Sequence, residues 1–125
     1  MILGTGIDIV QVARIEEAIR NQGESFLKRV FTEEEMRYCN SLCDHLPSIA
    51  ARFAAKEAAM KALATGWSGG VSWKDIGVVS VPPAAPYIVL TGEAEKIFQK
   101  LGGRKVHCSL SHHKDYAAAI VIIEG

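Results

Sequence analysis

The segment ARFAAKEAAMKALATG, residues 51–66, restricts this chain more than any other. On a helical wheel, at roughly 100° per residue, Ala51, Ala54, Ala55, Ala58, Ala59 and Ala62 fall on one half. Arg52, Phe53, Lys56, Glu57, Met60 and Lys61 fall on the other. A half made only of methyl groups has no bulk, so the helix backbone can approach a sheet or another helix closely. Ser48, after Pro47, is the expected N-cap of this helix, and Gly66, Gly69 and Gly70 are expected to break it near residue 64.

The polar half carries a ladder, Phe53, Glu57 and Lys61, at i, i+4 and i+8. On an ordinary helix this is a solvated face whose Glu57–Lys61 pair is worth a few tenths of a kcal/mol. Arg52 and Lys56 change that reading, because three cations and one anion on a rigid helix suit an anionic ligand.

Residues 2–10, ILGTGIDIV, read as a mostly buried strand containing one carboxylate, Asp8. Ile7 and Ile9 point to the opposite side, so Asp8 shares a face with Gly4 and Gly6. A carboxylate in an apolar strand must be paired, hydrogen-bonded or metal-bound. A structural cap on the following helix is one solution. A second is a two-carboxylate magnesium site shared with Glu57, the usual way a protein holds Mg²⁺ beside phosphates. A third cluster lies in residues 106–112, VHCSLSH, where period two puts His107, Ser109 and Ser111 on one face and Cys108 and Leu110 on the other. That face is either an exposed polar strand or a surface for phosphate or ribose.

The remaining pattern is mixed. Helices are expected at 11–21, closed by Gly23, at 24–30, and from Thr32, where Thr32 and Glu35 have the spacing of a capping box. Residues 40–47 read as a loop. Strands are expected at 76–81, 86–90, 106–111 and 116–123, the last two joined by a turn over 112–115, and one further helix opens at Thr91 and closes at Gly102-Gly103. The order gives an α+β fold, a mainly antiparallel sheet packed with a long Ala-rich helix and shorter helices, undivided by any linker.

Several function classes fall away. Lys and Arg total 14, and so do Asp and Glu, so the chain lacks the positive excess of a general nucleic-acid binder. No apolar run is long enough to span a bilayer, and the first residues lack the basic start and cleavage site of a signal peptide. An odd count of three cysteines in a chain able to build a core suggests reduced thiols and a cytoplasmic setting. Cys39, Cys43 and His45 lack zinc-ribbon spacing and a fourth ligand. Gly4-Thr5-Gly6 and Thr65-Gly66 lack the remaining residues of a dinucleotide fingerprint or a P-loop. Ser109 and Ser111 lack a hydrolase elbow.

Four segments together resemble the holo-acyl-carrier-protein synthases, the small class of 4′-phosphopantetheinyl transferases. They are GTGIDIVQVARI at 4–15, FTEEEMRYC at 31–39, ARFAAKEAAMKALATG at 51–66 and HCSLSHHKDYAAAIVII at 107–123. The third is the most specific, and the order is the family's. The resemblance implies a single phosphopantetheinyl transferase domain over residues 1–125, free-standing and cytoplasmic. It implies Mg²⁺-dependent transfer of 4′-phosphopantetheine from coenzyme A to a serine of apo-acyl carrier protein, releasing adenosine 3′,5′-bisphosphate, in fatty acid biosynthesis.

By the same match, Asp8 and Glu57 would bind Mg²⁺, and Glu57 and Lys61 would be the catalytic pair. Arg52, Lys61, Gly66, His107 and Ser109 would meet coenzyme A. Arg14 and Phe53 would face the carrier protein. The family forms homotrimers with active sites between subunits, and the apolar strands at 86–90 and 116–123 offer surface for that, or for burial within one chain.

The chemistry agrees: attack on a pyrophosphate needs charge neutralised, reactants in line and a proton removed from the serine. The sequence leaves the base open between Glu57 and a water held by the metal, and leaves Lys61 either stabilising or protonating the leaving phosphate. A module that holds coenzyme A without turning it over is the rival reading. So is a different Mg²⁺-dependent phosphotransfer enzyme.

Overall fold

Helix α4, Leu46–Leu63, is buried along nearly its whole circumference in the computed structural model, which describes residues 1–64 and 69–125. Pro47 in its first turn has the fixed φ that a helix start accepts. Ala64 in the left-handed conformation ends it. His45, not Ser48, is the N-cap residue. Ser48 lies inside the helix because Pro47 occupies the first turn instead of preceding it.

Around α4 the chain runs β1 (Ile2–Gln11), α1 (Val12–Gln22), α2 (Glu24–Val30) and α3 (Glu33–Asn40). After α4 come a 3₁₀ turn at Trp73–Asp75, β2 (Ile76–Val79), β3 (Tyr87–Leu90), α5 (Gly92–Lys100), β4 (Lys105–His113) and β5 (Tyr116–Glu124). The expected capping box forms at α3, with Thr32 Oγ1 accepting from the Glu35 N–H and Glu35 Oε1 accepting from the Thr32 N–H. The strands form two antiparallel sheets, β1–β5–β4 and the hairpin β2–β3. The turn between β4 and β5 is shorter than the sequence suggests. His112 and His113 stay in β4 opposite Ala117 and Tyr116, and Lys114 takes a positive φ.

Glycine decides how β1 meets α4. A Cβ on Gly4 would lie 2.1 Å from the Ala62 carbonyl oxygen, and one on Gly6 would lie 1.9 Å from that of Ala58. Only a strand without side chains at these points, against a helix with only methyl groups, permits so close an approach. The strand is less buried than expected as a result. Its inward face is the glycine face, and Ile7 and Ile9 point outward, each 66% exposed.

The other side of α4 also departs from expectation. Arg52, Lys56 and Met60 are buried, because α3 and β2 pack over them. Lys56 has no exposed surface and pairs with buried Glu35 at 2.9 Å. Its ammonium also donates to the carbonyls of Trp73 and Ile76. Lys56 is therefore an internal tie and does not present its charge to an outside anion. Losing one partner alone leaves an uncompensated buried charge, which costs about 3–5 kcal/mol. The ladder Phe53, Glu57 and Lys61 is the one stripe of α4 left partly open.

A candidate phosphoryl-transfer site

The approach of β1 to α4 that removes side chains at Gly4 and Gly6 brings Asp8, on the same inward face, to the open ladder of the helix. Lys61 Nζ lies 3.2 Å from Asp8 Oδ1 and donates to the Ile7 carbonyl at 2.8 Å. The Asp8 side chain is 19% exposed and that of Lys61 is 54% exposed, so the pair opens to solvent on the lysine side.

Glu57, one turn before Lys61, has its carboxyl pushed above the ordinary range by burial first and by the negative charge of Asp8 second. Lys61 and the exposed Arg14 on α1 pull it back. Two carboxylates therefore stand close enough to repel one another, and two cations only partly offset them. The donor set fits a hard divalent cation of the magnesium kind. Among the described residues no group of three or more His, Cys, Asp or Glu forms an all-protein cage. Water and phosphate oxygens would have to complete the shell, as Mg²⁺ prefers beside nucleotides.

Phe53, at the start of the ladder, stacks on Trp73 with ring centres 5.0 Å apart and planes at 25°. Phe26 and Phe31 extend the aromatic cluster. Arg52 lies on another side of α4. Its guanidinium donates to the Ser48 carbonyl, Ser48 Oγ and Ser80 Oγ, and covers the Tyr38 ring at 4.7 Å. Its Nε is buried without a hydrogen-bond partner among the described residues. Leu110 and His112 of β4 line the same cleft.

His107 and Ser109 do not join Asp8 within the chain. Register pairs Thr5, Ile122 and His107 across the sheet, and likewise Ile7, Ile120 and Ser109, so these side chains stand on the outer face. Asp8, Ala119 and Leu110 stand on the inner one. His107 instead hydrogen-bonds Glu124 at 2.8 Å, and that bond holds the Glu124 carboxyl below its usual range. Gly66, expected near coenzyme A, lies outside the described residues.

The sequence patterns did not reveal Glu35, Trp73, Ser80 or Glu124 as partners of Lys56, Phe53, Arg52 and His107. Each pairing joins residues distant in the chain, and only the Thr32–Glu35 spacing carried any advance signal. Cys39 is buried and Cys43 exposed, so the Cys39–Cys43–His45 grouping offers no shared site.

A family model described as the 4′-phosphopantetheinyl transferase superfamily matches residues 4–121. The holo-[acyl-carrier-protein] synthase of Koribacter versatilis is 52% identical over 124 residues, covering 99% of both chains. The crystal structure of holo-[acyl-carrier-protein] synthase from Neisseria meningitidis superposes with a TM-score of 0.90 at 34% identity, covering 100% of each chain. That of Helicobacter pylori, in complex with coenzyme A, superposes with a TM-score of 0.84 at 34% identity, covering 96% of this chain and 99% of the other.

Proposed function

Because the chain belongs to the 4′-phosphopantetheinyl transferase superfamily, we propose that the Asp8–Glu57–Lys61 cluster carries out its transfer chemistry. The reaction moves 4′-phosphopantetheine from coenzyme A to a serine hydroxyl of apo-acyl carrier protein and releases adenosine 3′,5′-bisphosphate. The observation that carries the reading is the meeting of Asp8 with the Glu57–Lys61 ladder, Lys61 Nζ lying 3.2 Å from Asp8 Oδ1. A module that only holds coenzyme A needs cations, and gains nothing from two mutually repelling carboxylates.

Asp8 and Glu57 would hold Mg²⁺, which when bound neutralises the pyrophosphate and polarises the phosphorus under attack. Lys61 has a flexible, half-exposed stem, and its ammonium turns from Asp8 to the reacting phosphate to offset charge on the leaving group. Glu57, with one carboxylate oxygen left free of the metal, is the group that takes the serine proton. Arg14 is exposed within electrostatic reach of Glu57 and offers a cation to the acidic carrier, with half-buried Phe53 as the apolar contact beside it.

Among the described residues Arg52 has no carboxylate partner and its Nε is unpaired, which suits a phosphate of coenzyme A. His107 and Ser109 would meet coenzyme A from the outer sheet face. Since that face points away from their own Asp8, they serve the site of an adjoining copy in a homotrimer. The outward Ile7, Ile9 and Ile120 supply the apolar surface for such an assembly.

The test incubates the chain with apo-acyl carrier protein, coenzyme A and Mg²⁺ and reads the carrier's mass. A gain of one phosphopantetheine, lost with EDTA and restored by added Mg²⁺, is the expected outcome. No gain on any carrier favours the binding module, and a gain indifferent to EDTA removes the metal from the reading.

A further inference from the structure

The buried Lys56–Glu35 pair takes no part in the steps above, yet it is the most completely enclosed ionic contact in the described structure. Its bonds go to four backbone groups. Lys56 Nζ donates to the carbonyls of Trp73, at 3.1 Å, and Ile76. Glu35 accepts from the N–H of Thr32 and of Val78, each at 2.8 Å. One ion pair thus joins the start of α3, the 3₁₀ turn and β2 to a single point on α4.

That point is the residue before Glu57. One of the two carbonyls gripped by Lys56 belongs to Trp73, whose ring stacks on Phe53, one helical turn before Glu57. Buried ion pairs are weak sources of net stability, since packed apolar residues of similar size usually serve as well. They do fix geometry, because each bond demands its own distance and direction.

We infer that Lys56 and Glu35 are positioning residues for the transfer reaction: through the Trp73 carbonyl they set the Phe53–Trp73 stack, one helical turn before Glu57. The inference rests on the reading of Glu57 given above. It predicts that loosening the pair lowers turnover more than it weakens binding of coenzyme A, because most of the contacts proposed for coenzyme A, at Arg52, Lys61, His107 and Ser109, do not involve the Phe53–Trp73 stack.

The experiment uses a Trp67→Phe parent, in which Trp73 is the remaining tryptophan of the two in the sequence. Lys56→Met and Glu35→Asp are each compared with that parent at a temperature where circular dichroism shows the variant fully folded. Glu35→Asp keeps the charge pair but draws the carboxylate back by one methylene. The expected result is a fall in kcat of at least about tenfold with KM for coenzyme A near the parent value. Trp73 emission moves to longer wavelength at the same time.

Folded variants with parental kcat, with KM raised in step, or with unchanged Trp73 emission overturn the proposal. So does failure of both variants to fold at any temperature, since the pair would then serve the fold itself. If the unsubstituted chain transfers nothing, the reading of the active site fails, and the emission shift alone still decides whether the pair holds Trp73.

Discussion

Glu57 is less stable in its place than the same residue would be on an open helix. Burial and the charge of Asp8 raise its pKa in the folded protein above the unfolded value. Between those two values the folded state binds more protons than the unfolded one, so stability falls as pH rises through that window. At neutral pH the ionised Glu57 is therefore a cost of the fold, and below the unfolded pKa the cost is absent. Glu57→Gln is expected to abolish transfer while raising the melting temperature at pH 7 by about 2 °C. The gain should vanish in scans below the ordinary carboxylate pKa. Wild-type-like turnover in this variant removes Glu57 from catalysis, and a lowered melting temperature at pH 7 contradicts the electrostatic account.

At this scale the meeting of Asp8 with the Glu57–Lys61 ladder was legible in the sequence as a candidate cluster. Asp8 stood alone among apolar residues, and Glu57 and Lys61 stood on a helix otherwise made of alanine. Lys56 and Lys61 could not be told apart in kind, although one is sealed and the other open. Their difference comes from Glu35, brought in by a separate helix, and no local pattern records that meeting.

The elements repeat the contrast. Helix α4, the capping box of α3 and the hairpin β4–β5 each follow from spacing within one segment, and each is present. The division of the strands into two sheets depends on which strands meet, and strand patterns alone are silent on that. So is the outward turn of Ile7 and Ile9, which follows from glycine taking the inner face. The β1–α4 contact makes its own prediction. Gly6→Ala places a methyl group against the Ala58 carbonyl, backbone against backbone, where no rotamer can relieve it. A loss of about 3 kcal/mol is expected, read as a lower urea midpoint. Transfer should fall as well at temperatures where the variant is folded, because Asp8 is displaced with the strand. A variant of parental stability would show that the strand and helix are not in this contact.

On the scale of the whole molecule, the sheet β1–β5–β4 has two unlike surfaces. Its inner face packs on α4 and ends at Asp8, while its outer face combines exposed isoleucines with His107 and Ser109. No helix among the described residues is long and apolar enough to cross a membrane. Association of copies through the outer face is expected to be necessary for activity. The parent is expected to sediment as trimers and Ile9→Glu as single chains, with transfer lost and circular dichroism unchanged. An unaltered sedimentation coefficient would clear the outer face of any part in assembly.

Strand β1 carries both surfaces at once, with Gly4, Gly6 and Asp8 on even positions and Ile7 and Ile9 on odd ones. Deleting one residue between Gly4 and Asp8 would exchange the two sets. The carboxylate would then face outward, and isoleucines would be driven into the alanine helix. An added or lost residue is better borne elsewhere, as in the irregular connection over residues 80–86, which holds no comparable parity. The first strand can be edited letter by letter, but it cannot change its count by one.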